Sequence, residues 1–518
     1  MKLNFKAVSL IGCAAAAGPV AAQSFSPPNF VSGPGSFTDL VTLDLDGDGD
    51  LDLISNSASS GGGIFFTENL DTGGLGTPQP LTPTLVFPRN FDVVDLDLDG
   101  QEDLVVALGG SFGSVVWFKG LQFGAFGPQQ TIGNLADSLD VACADFDLDG
   151  DVDVGVAVGG NSLGAHTVQW FENSGAGMSG FEPPALISGN LISVVGLETA
   201  DLNDDGRPDL VSASELDDKV AWYESLASGG FSGQRVITTG AEDVQDVHLA
   251  DVDQDGLIDV LSASEGDGEV AIFINQGGGI FASQPLLDAG NGAVFSVTTA
   301  DVDLDGDIDV IAGDGGCSNC VHVRYYENVG FGFFAAPVLL NASGSRATGV
   351  AALDLDGDSD IDIATSDIVW FANTAVAGTI YCTSTANSTG LAGTIAATGS
   401  PVSSINLLTL SAEDLPNNSF GFFLTSMLQG VVNQPGGSQG TLCLSGGIGR
   451  YVGPGQIQFS AGTGAFRLSI DLTQTPTPQT GLVPVMAGQT WNFQAWYRDV
   501  LMGVATSNFT DAVTITFS

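Results

Sequence analysis

Asp301-Val302-Asp303-Leu304-Asp305-Gly306-Asp307-Ile308-Asp309 puts carboxylates at alternate places of one short stretch, with a glycine at the sixth. The pattern returns, with small variations, at intervals of 50 to 56 residues, seven copies beginning at Asp44, Asp95, Asp145, Asp201, Asp251, Asp301 and Asp354. Regular recurrence over such a period is the signature of a repeat architecture in which every unit is one supersecondary element.

Acidic side chains at positions 1, 3, 5 and 9 of a tight loop converge on one point and repel one another unless a cation lies between them. The candidate ligands are Asp44, Asp46, Asp48 and Asp52 in loop 1, and Asp95, Asp97, Asp99 and Asp103 in loop 2. Loop 3 offers Asp145, Asp147, Asp149 and Asp153; loop 4 offers Asp201, Asn203, Asp205 and Asp209. Loop 5 offers Asp251, Asp253, Asp255 and Asp259, loop 6 Asp301, Asp303, Asp305 and Asp309, and loop 7 Asp354, Asp356, Asp358 and Asp362. Hard oxygen donors at this density suit Ca²⁺, which accepts six to eight oxygens in flexible geometry, better than the strictly octahedral Mg²⁺. About seven Ca²⁺ are therefore expected. Position 7 holds Asp50, Gln101, Asp151, Arg207, Leu257, Asp307 and Asp360, a scatter that fits a ligand supplied by the backbone carbonyl. Position 6 is glycine in six copies and Ser359 in the seventh, which makes loop 7 the weakest cradle on this reading. An EF-hand would need Glu at position 12, where Ser55, Val106, Val156, Ser212, Ser262, Ala312 and Thr365 stand instead.

The flanks of each loop read as strands. An apolar run enters, as in Ser296 to Ala300, and another leaves, as in Ile308 to Ala312. A third carries an aromatic or apolar pair: Phe65-Phe66, Trp117-Phe118, Trp170-Phe171, Trp222-Tyr223, Ile272-Phe273, Tyr325-Tyr326 and Trp370-Phe371. A fourth opens on Phe, as in Phe334 to Leu340. Four short strands per ~50 residues describe a propeller blade. The aromatic pairs are read as packing between blades, since they recur at one strand position. After Asn373 the last repeat lacks its fourth strand, while Phe25 to Val31 repeats the pattern of Phe181 to Ile187, so the N-terminal segment is expected to complete the last blade.

The fold expected is all-β: a seven-bladed β-propeller over residues 23–374, followed by a smaller β-sandwich over 375–518, where the repeat stops and alternating apolar positions continue. Trp491, Trp496 and Tyr497 in that second region are read as core. The repeat pattern resembles the FG-GAP or VCBS repeat family, which includes the calcium-loop blades of the integrin α-subunit propeller. The resemblance implies a seven-bladed propeller with Ca²⁺ at the Asp loops and spans functions from adhesion to carbohydrate-active enzymes. Cys443 to Arg450 and Trp491 to Asp499 are similar to a C-terminal module of other secreted bacterial repeat proteins, one without an established activity.

The net charge is −49, from 61 acidic and 12 basic side chains, which argues against nucleic acid as a partner. Residues 1–22 read as a signal peptide: Lys2 and Lys6, an apolar run from Ala7 to Ala17, and small residues at Val20-Ala21-Ala22. Leu10-Ile11-Gly12-Cys13 also resembles a bacterial lipobox, the competing reading, in which Cys13 carries a lipid anchor. A secreted or cell-surface bacterial protein with no membrane span is expected. In that setting Cys317 with Cys320, and Cys382 with Cys443, can form disulfides, and Cys143 reads as a buried small hydrophobe.

Antiparallel order places the Asp loops at one end of the sheets. The connections from second to third strand, and from fourth strand to the next blade, then lie at the other. Candidate recognition residues there are Ser57 to Gly63, Gly109 to Ser114, Gly159 to His166, Glu215 to Lys219, Glu265 to Glu269 and Asp314 to Cys320, with Arg89, Glu242, Asp243 and Arg346. His166, His248 and His322 sit in three different repeats, and no Gly-x-Ser-x-Gly, His-Glu-x-x-His or phosphate loop occurs. The function expected is non-enzymatic binding or adhesion, with glycans or cell-surface and matrix polymers as partners. A propeller-based polysaccharide lyase or hydrolase and a structural envelope or matrix component are the alternatives.

Overall fold

Apolar β-branched runs on either side of each acidic loop form the two central strands of a four-stranded antiparallel sheet. The structure, a computed structural model, describes residues 25–517 apart from 32–36, 58–61, 71–73, 123, 160–165, 176–179, 288–291, 318–319, 343–346, 357–359, 375–376, 404–405, 461, 479–480 and 502. The signal segment with Cys13, and also Arg346, Asp358 and Ser359, lie outside the described residues, as do parts of the Ser57–Gly63, Gly159–His166 and Asp314–Cys320 connections.

Among the described residues, seven four-stranded sheets follow one another along the chain. Sheet 5 shows the common plan: Val244–Ala250, Asp259–Ser264, Val270–Asn275 and Phe281–Ser283, paired in that order. The first strands of sheets 1 to 7 are Asp39–Leu43, Pro88–Val94, Ser138–Ala144, Val194–Ala200, Val244–Ala250, Val294–Ala300 and Val350–Leu353. Those of sheets 2 to 7 pack against one another in succession, and that of sheet 7 packs against that of sheet 1. Between each pair of neighbouring sheets lies an apolar core. Sheets 4 and 5, for example, share Val211, Trp222, Val247 and Phe273, and sheets 7 and 1 share Leu40, Leu53, Ala364 and Trp370. The fold is a β-propeller.

The last sheet is completed by the start of the chain. Asn29–Phe30 pairs with Val369–Phe371, Phe25 bridges Asn373, and Ser26 N–H donates to the Ala372 carbonyl at 2.7 Å.

The aromatic positions are packing positions, as their recurrence suggested. In three sheets a phenylalanine at or before the fourth strand reaches the third-strand aromatic of the preceding sheet. Phe231 meets Trp170 edge-on at 5.6 Å, Phe281 meets Trp222 at 6.5 Å, and Phe25 meets Tyr325 at 5.8 Å. Phe334 itself precedes its fourth strand, which runs Val338–Ala342. In sheet 1 the register corrects the sequence reading. Leu53 faces Thr67 where Val154 faces Phe171, so the pair is Phe66-Thr67 and not Phe65-Phe66. Cys143 is only half-buried, because its strand borders the central channel, and its amide donates to Asp92 Oδ2 of the neighbouring sheet.

From Thr379 onward the two larger sheets pack face to face, with two short two-stranded sheets beside them. One is built on Thr490–Leu501 and Val504–Thr516, with Phe420–Ser426 and Thr379–Cys382; the other is Thr394–Gly399, Leu408–Glu413 and Phe466–Ile470. Their shared core contains Trp491, Phe493 and Tyr497, while Trp496 packs on Phe422 in a smaller cluster. Cys382 and Cys443 are disulfide-bonded. The backbones of Cys317 and Cys320 face each other across a strand pair. This sandwich touches the acidic end of the propeller. Ser400 Oγ donates to the Leu304 carbonyl of loop 6, and Arg467 Nη1 donates to the Asp356 carbonyl of loop 7 at 3.2 Å.

Candidate metal-binding loops

Loops 1 to 6 each turn through two left-handed residues. The glycine at position 6 has φ between 86° and 105° in loops 1 to 6. Position 4 is also left-handed, and in five loops it is not glycine: Leu98, Leu148, Asp204, Gln254 and Leu304 have φ of 56° to 60°. Strain of order 1 kcal/mol at such a residue is offset by the hydrogen bonds the loop makes to its own carboxylates. In loop 5, Asp251 Oδ1 accepts Asp255 N–H at 3.1 Å and its Oδ2 accepts Gly256 N–H at 2.8 Å; Asp255 Oδ1 accepts Leu257 N–H at 2.9 Å. Loops 2, 4 and 6 share all three of these bonds.

This wrapping aims the carboxylates of positions 1, 3 and 5 inward. Oxygens of Asp44, Asp46 and Asp48 lie within 4.8 Å of one another, as do those of Asp95, Asp97 and Asp99, of Asp145, Asp147 and Asp149, and of Asp251, Asp253 and Asp255. In loop 6 the converging set is Asp301, Asp303 and Asp309. Loop 4 presents Asp201, Asn203 and Asp205, and both amide atoms of Asn203 are buried without a hydrogen-bond partner. Of the candidate ligands in loop 7, Asp354, Asp356 and Asp362 are among the described residues.

The position-9 aspartates are fully buried in all seven loops, and each staples its sheet. Oδ2 accepts the N–H of loop position 2, and Oδ1 accepts an N–H at the end of the third strand. For Asp309 these are Val302 at 2.9 Å and Asn328 at 2.8 Å; for Asp362 they are Leu355 at 2.8 Å and Asn373 at 2.7 Å. Burial pushes Asp52 and Asp103 up to about 6, and Asp153, Asp209, Asp259 and Asp309 up to about 7.

Loop 6 fits a cation best. Asp303 is only 8% exposed, and its Oδ2 has no hydrogen-bond partner. Burial, and then the neighbouring carboxylates, push Asp303 up to about 8, and Asp301 is raised to about 6. A buried, unpartnered carboxylate oxygen among other carboxylates is a ligand atom awaiting positive charge. These donors are all hard oxygens, so the aspartate clusters can hold metal ions.

Two recurring features went unnoticed in the sequence. The first is an asparagine closing the third strand. Nδ2 of Asn69, Asn275, Asn328 and Asn373 donates to a carbonyl in the preceding sheet's loop, respectively Asp354, Leu202, Val252 and Val302, at 2.8 to 3.0 Å. Its signal was the Asn that follows the aromatic pair in most repeats. The second is a central channel of about 460 Å³, lined by the first strands of all seven sheets. Five sheets contribute acidic groups to it, Asp39, Asp92, Asp140, Glu198 and Asp246, and His248 bridges Glu198 Oε1 at 3.2 Å and Thr299 Oγ1 at 3.1 Å. Some of these carboxylates tie sheets together: Asp140 Oδ2 accepts Leu197 N–H at 2.7 Å, and Asp246 Oδ2 accepts Val297 N–H at 2.9 Å.

Burial, with Asp246 adding repulsion, pushes Asp39 up to about 7. The folded protein then holds this proton up to about pH 7, whereas the unfolded chain releases it near pH 4, so ionising Asp39 erodes stability as pH rises through that window. Asp39→Asn retains an acceptor for the Leu40 N–H. It should melt with wild type at pH 4 and several degrees above it at pH 8, both with saturating Ca²⁺. Equal melting temperatures at pH 8 would mean that Asp39 titrates normally.

Among the described residues, no helix is long and apolar enough to cross a membrane. No curated protein matches the chain. Among solved structures, it is similar to two crystal structures of BBS1N in complex with ARL6DN, one soaked with mercury and one with lead. Identity is 14% and 13%, covering 69% of this chain and 99% and 97% of those chains, with a TM-score of 0.44 in both. Residues 44–106, 95–156, 201–262 and 251–312 each match the FG-GAP-like repeat. The chain thus carries four FG-GAP-like repeats across residues 44–312, each match beginning on the first aspartate of a loop described above.

Proposed function

We propose that this is a secreted, calcium-stabilised propeller that binds rather than catalyses, with glycans or cell-surface and matrix polymers as its targets. The Asp loops serve as its structural end. Their carboxylates are engaged with the backbone amides of their own sheet, as a scaffold role requires, and Ca²⁺ suits the donor set. Recognition falls to the opposite end.

The observation that carries the reading is Phe112. It lies in the connection between Asp103–Leu108 and Ser114–Phe118, and its side chain is 100% exposed. Phe87 is held next to this connection, since Gly109 N–H donates to the Phe87 carbonyl at 2.8 Å, and it too is exposed. Arg89, half-exposed, is 3.9 Å from Asp137. Aromatic faces beside a charged side chain, presented on a rigid scaffold, suit sugar rings, which offer an apolar face and a polar rim.

Glycan-array screening with and without Ca²⁺ tests this. Wild type should retain a restricted set of glycans, and Phe112→Ala should weaken retention at least tenfold without changing the melting temperature. Turnover of a polysaccharide, or no difference between wild type and Phe112→Ala, would overturn the proposal.

A further inference from the structure

We infer that Lys119 is the resident cation of loop 2, whose carboxylates are held by the lysine ammonium where the other loops take a divalent ion. This rests on the calcium reading above. Lys119 directly follows the third strand of sheet 2, Ser114–Phe118, and its side chain turns back over the loop of the same sheet. Its Nζ contacts Asp97 Oδ2 and lies 2.7 Å from Asp99 Oδ2, the carboxylates of positions 3 and 5.

The same strand position is occupied in the other sheets by Glu68, Glu172, Glu224, Ile274, Glu327 and Ala372, as the pairing register shows. Four sheets therefore have an acid there, and sheet 2 has a base. The position faces the cradle, since Glu327 in sheet 6 interacts electrostatically with Asp303 and Asp305. Exchanging an acid for a base beside the loop changes the local charge by two, as much as a Ca²⁺ ion carries.

A tethered ammonium competes with a free ion at an effective concentration in the millimolar range, and its three donors suit two carboxylates at once. An ion entering loop 2 must displace it from both. Loop 4 differs. There the guanidinium of Arg207 contacts one loop carboxylate among the described residues, that of Asp205, and its Nε donates to the Ser225 carbonyl at 3.3 Å.

Calcium stoichiometry should be measured by titration calorimetry on the full chain as wild type, Lys119→Met and Lys119→Glu, with anomalous scattering from calcium-grown crystals to locate the ions. Wild type should leave loop 2 without an ion at concentrations that fill the other loops, and Lys119→Glu should add one equivalent at the same concentration. In EDTA, Lys119→Met should melt below wild type, and Ca²⁺ should close that gap. An ion in loop 2 of wild type, or the same stoichiometry for wild type and Lys119→Glu, overturns the inference alone. No ion in any loop overturns it together with the calcium reading.

Discussion

Chelation with EDTA is expected to lower the melting temperature by ten degrees or more. The structure gives the reason. Loops 1 and 3 to 6 hold inward-facing carboxylates beside a buried position-9 aspartate raised to about 6 or 7, so each is poised to be neutralised by an ion, whereas loop 2 carries Lys119. At a free Ca²⁺ concentration ten times the dissociation constant, one site contributes roughly 1.4 kcal/mol. Six such sites, loop 7 included, contribute on the order of 8 kcal/mol. A body of about 350 residues unfolds with an entropy near 0.7 kcal/mol/K, which converts that sum to a shift of about 12 degrees. Scanning calorimetry in Ca²⁺, in EDTA and after restoring Ca²⁺ measures it. A shift of two degrees or less would remove the structural role of the loops.

Removing residues 25–31 is expected to have an effect of similar size. This segment supplies the outer strand of sheet 7, with Val31 N–H donating to the Ile368 carbonyl at 3.1 Å and Ala372 N–H donating to Ser26 Oγ at 3.0 Å. It also places Phe25 in the core between sheets 6 and 7. Burying one aromatic side chain is worth roughly 2 to 3 kcal/mol, and each of about four hydrogen bonds roughly 1 kcal/mol. The truncated protein would also expose the edge of Val369–Phe371, a template for pairing with another chain. The melting temperature should fall by about eight degrees or more, and light scattering should show association. A synthetic peptide of residues 25–31 should reverse both. An unchanged melting temperature would show that the ring does not depend on this closure.

How much of this was legible depended on whether a residue's task is written in its type or in its neighbours. The Asp-x-Asp-x-Asp-Gly spacing announced the loops because carboxylates at alternate positions recur once in every repeat. The shared Phe-Pro-Pro pattern of Phe25 to Val31 and Phe181 to Ile187 announced the closure, because both segments fill the same place in a sheet. The double duty of Asp309 was hidden, since its partners Val302 and Asn328 are chosen by the fold and donate through their backbones. The channel was hidden for a similar reason. Asp39, Asp140 and Asp246 precede their loops by five residues, and Asp92 and Glu198 by three, and only ring closure brings them together. The pairing register of sheet 1 escaped because Thr67 stands where an aromatic was expected. Lys119 carries no mark in its type; only the strand pairing places it where other sheets carry glutamate.

The contact between the sandwich and loop 6 bears on how quickly ions come and go. Leu304 is 6% exposed, whereas Leu98 and Leu148, at the same loop position, are 55% and 53% exposed. Ser400 lies on its carbonyl. Asp305 and Gly306 stay partly open, but the Leu304 side of loop 6 is covered, so an ion held there would meet less solvent than one in loop 3. In the EDTA experiment followed by stopped flow, one equivalent should therefore trail the rest.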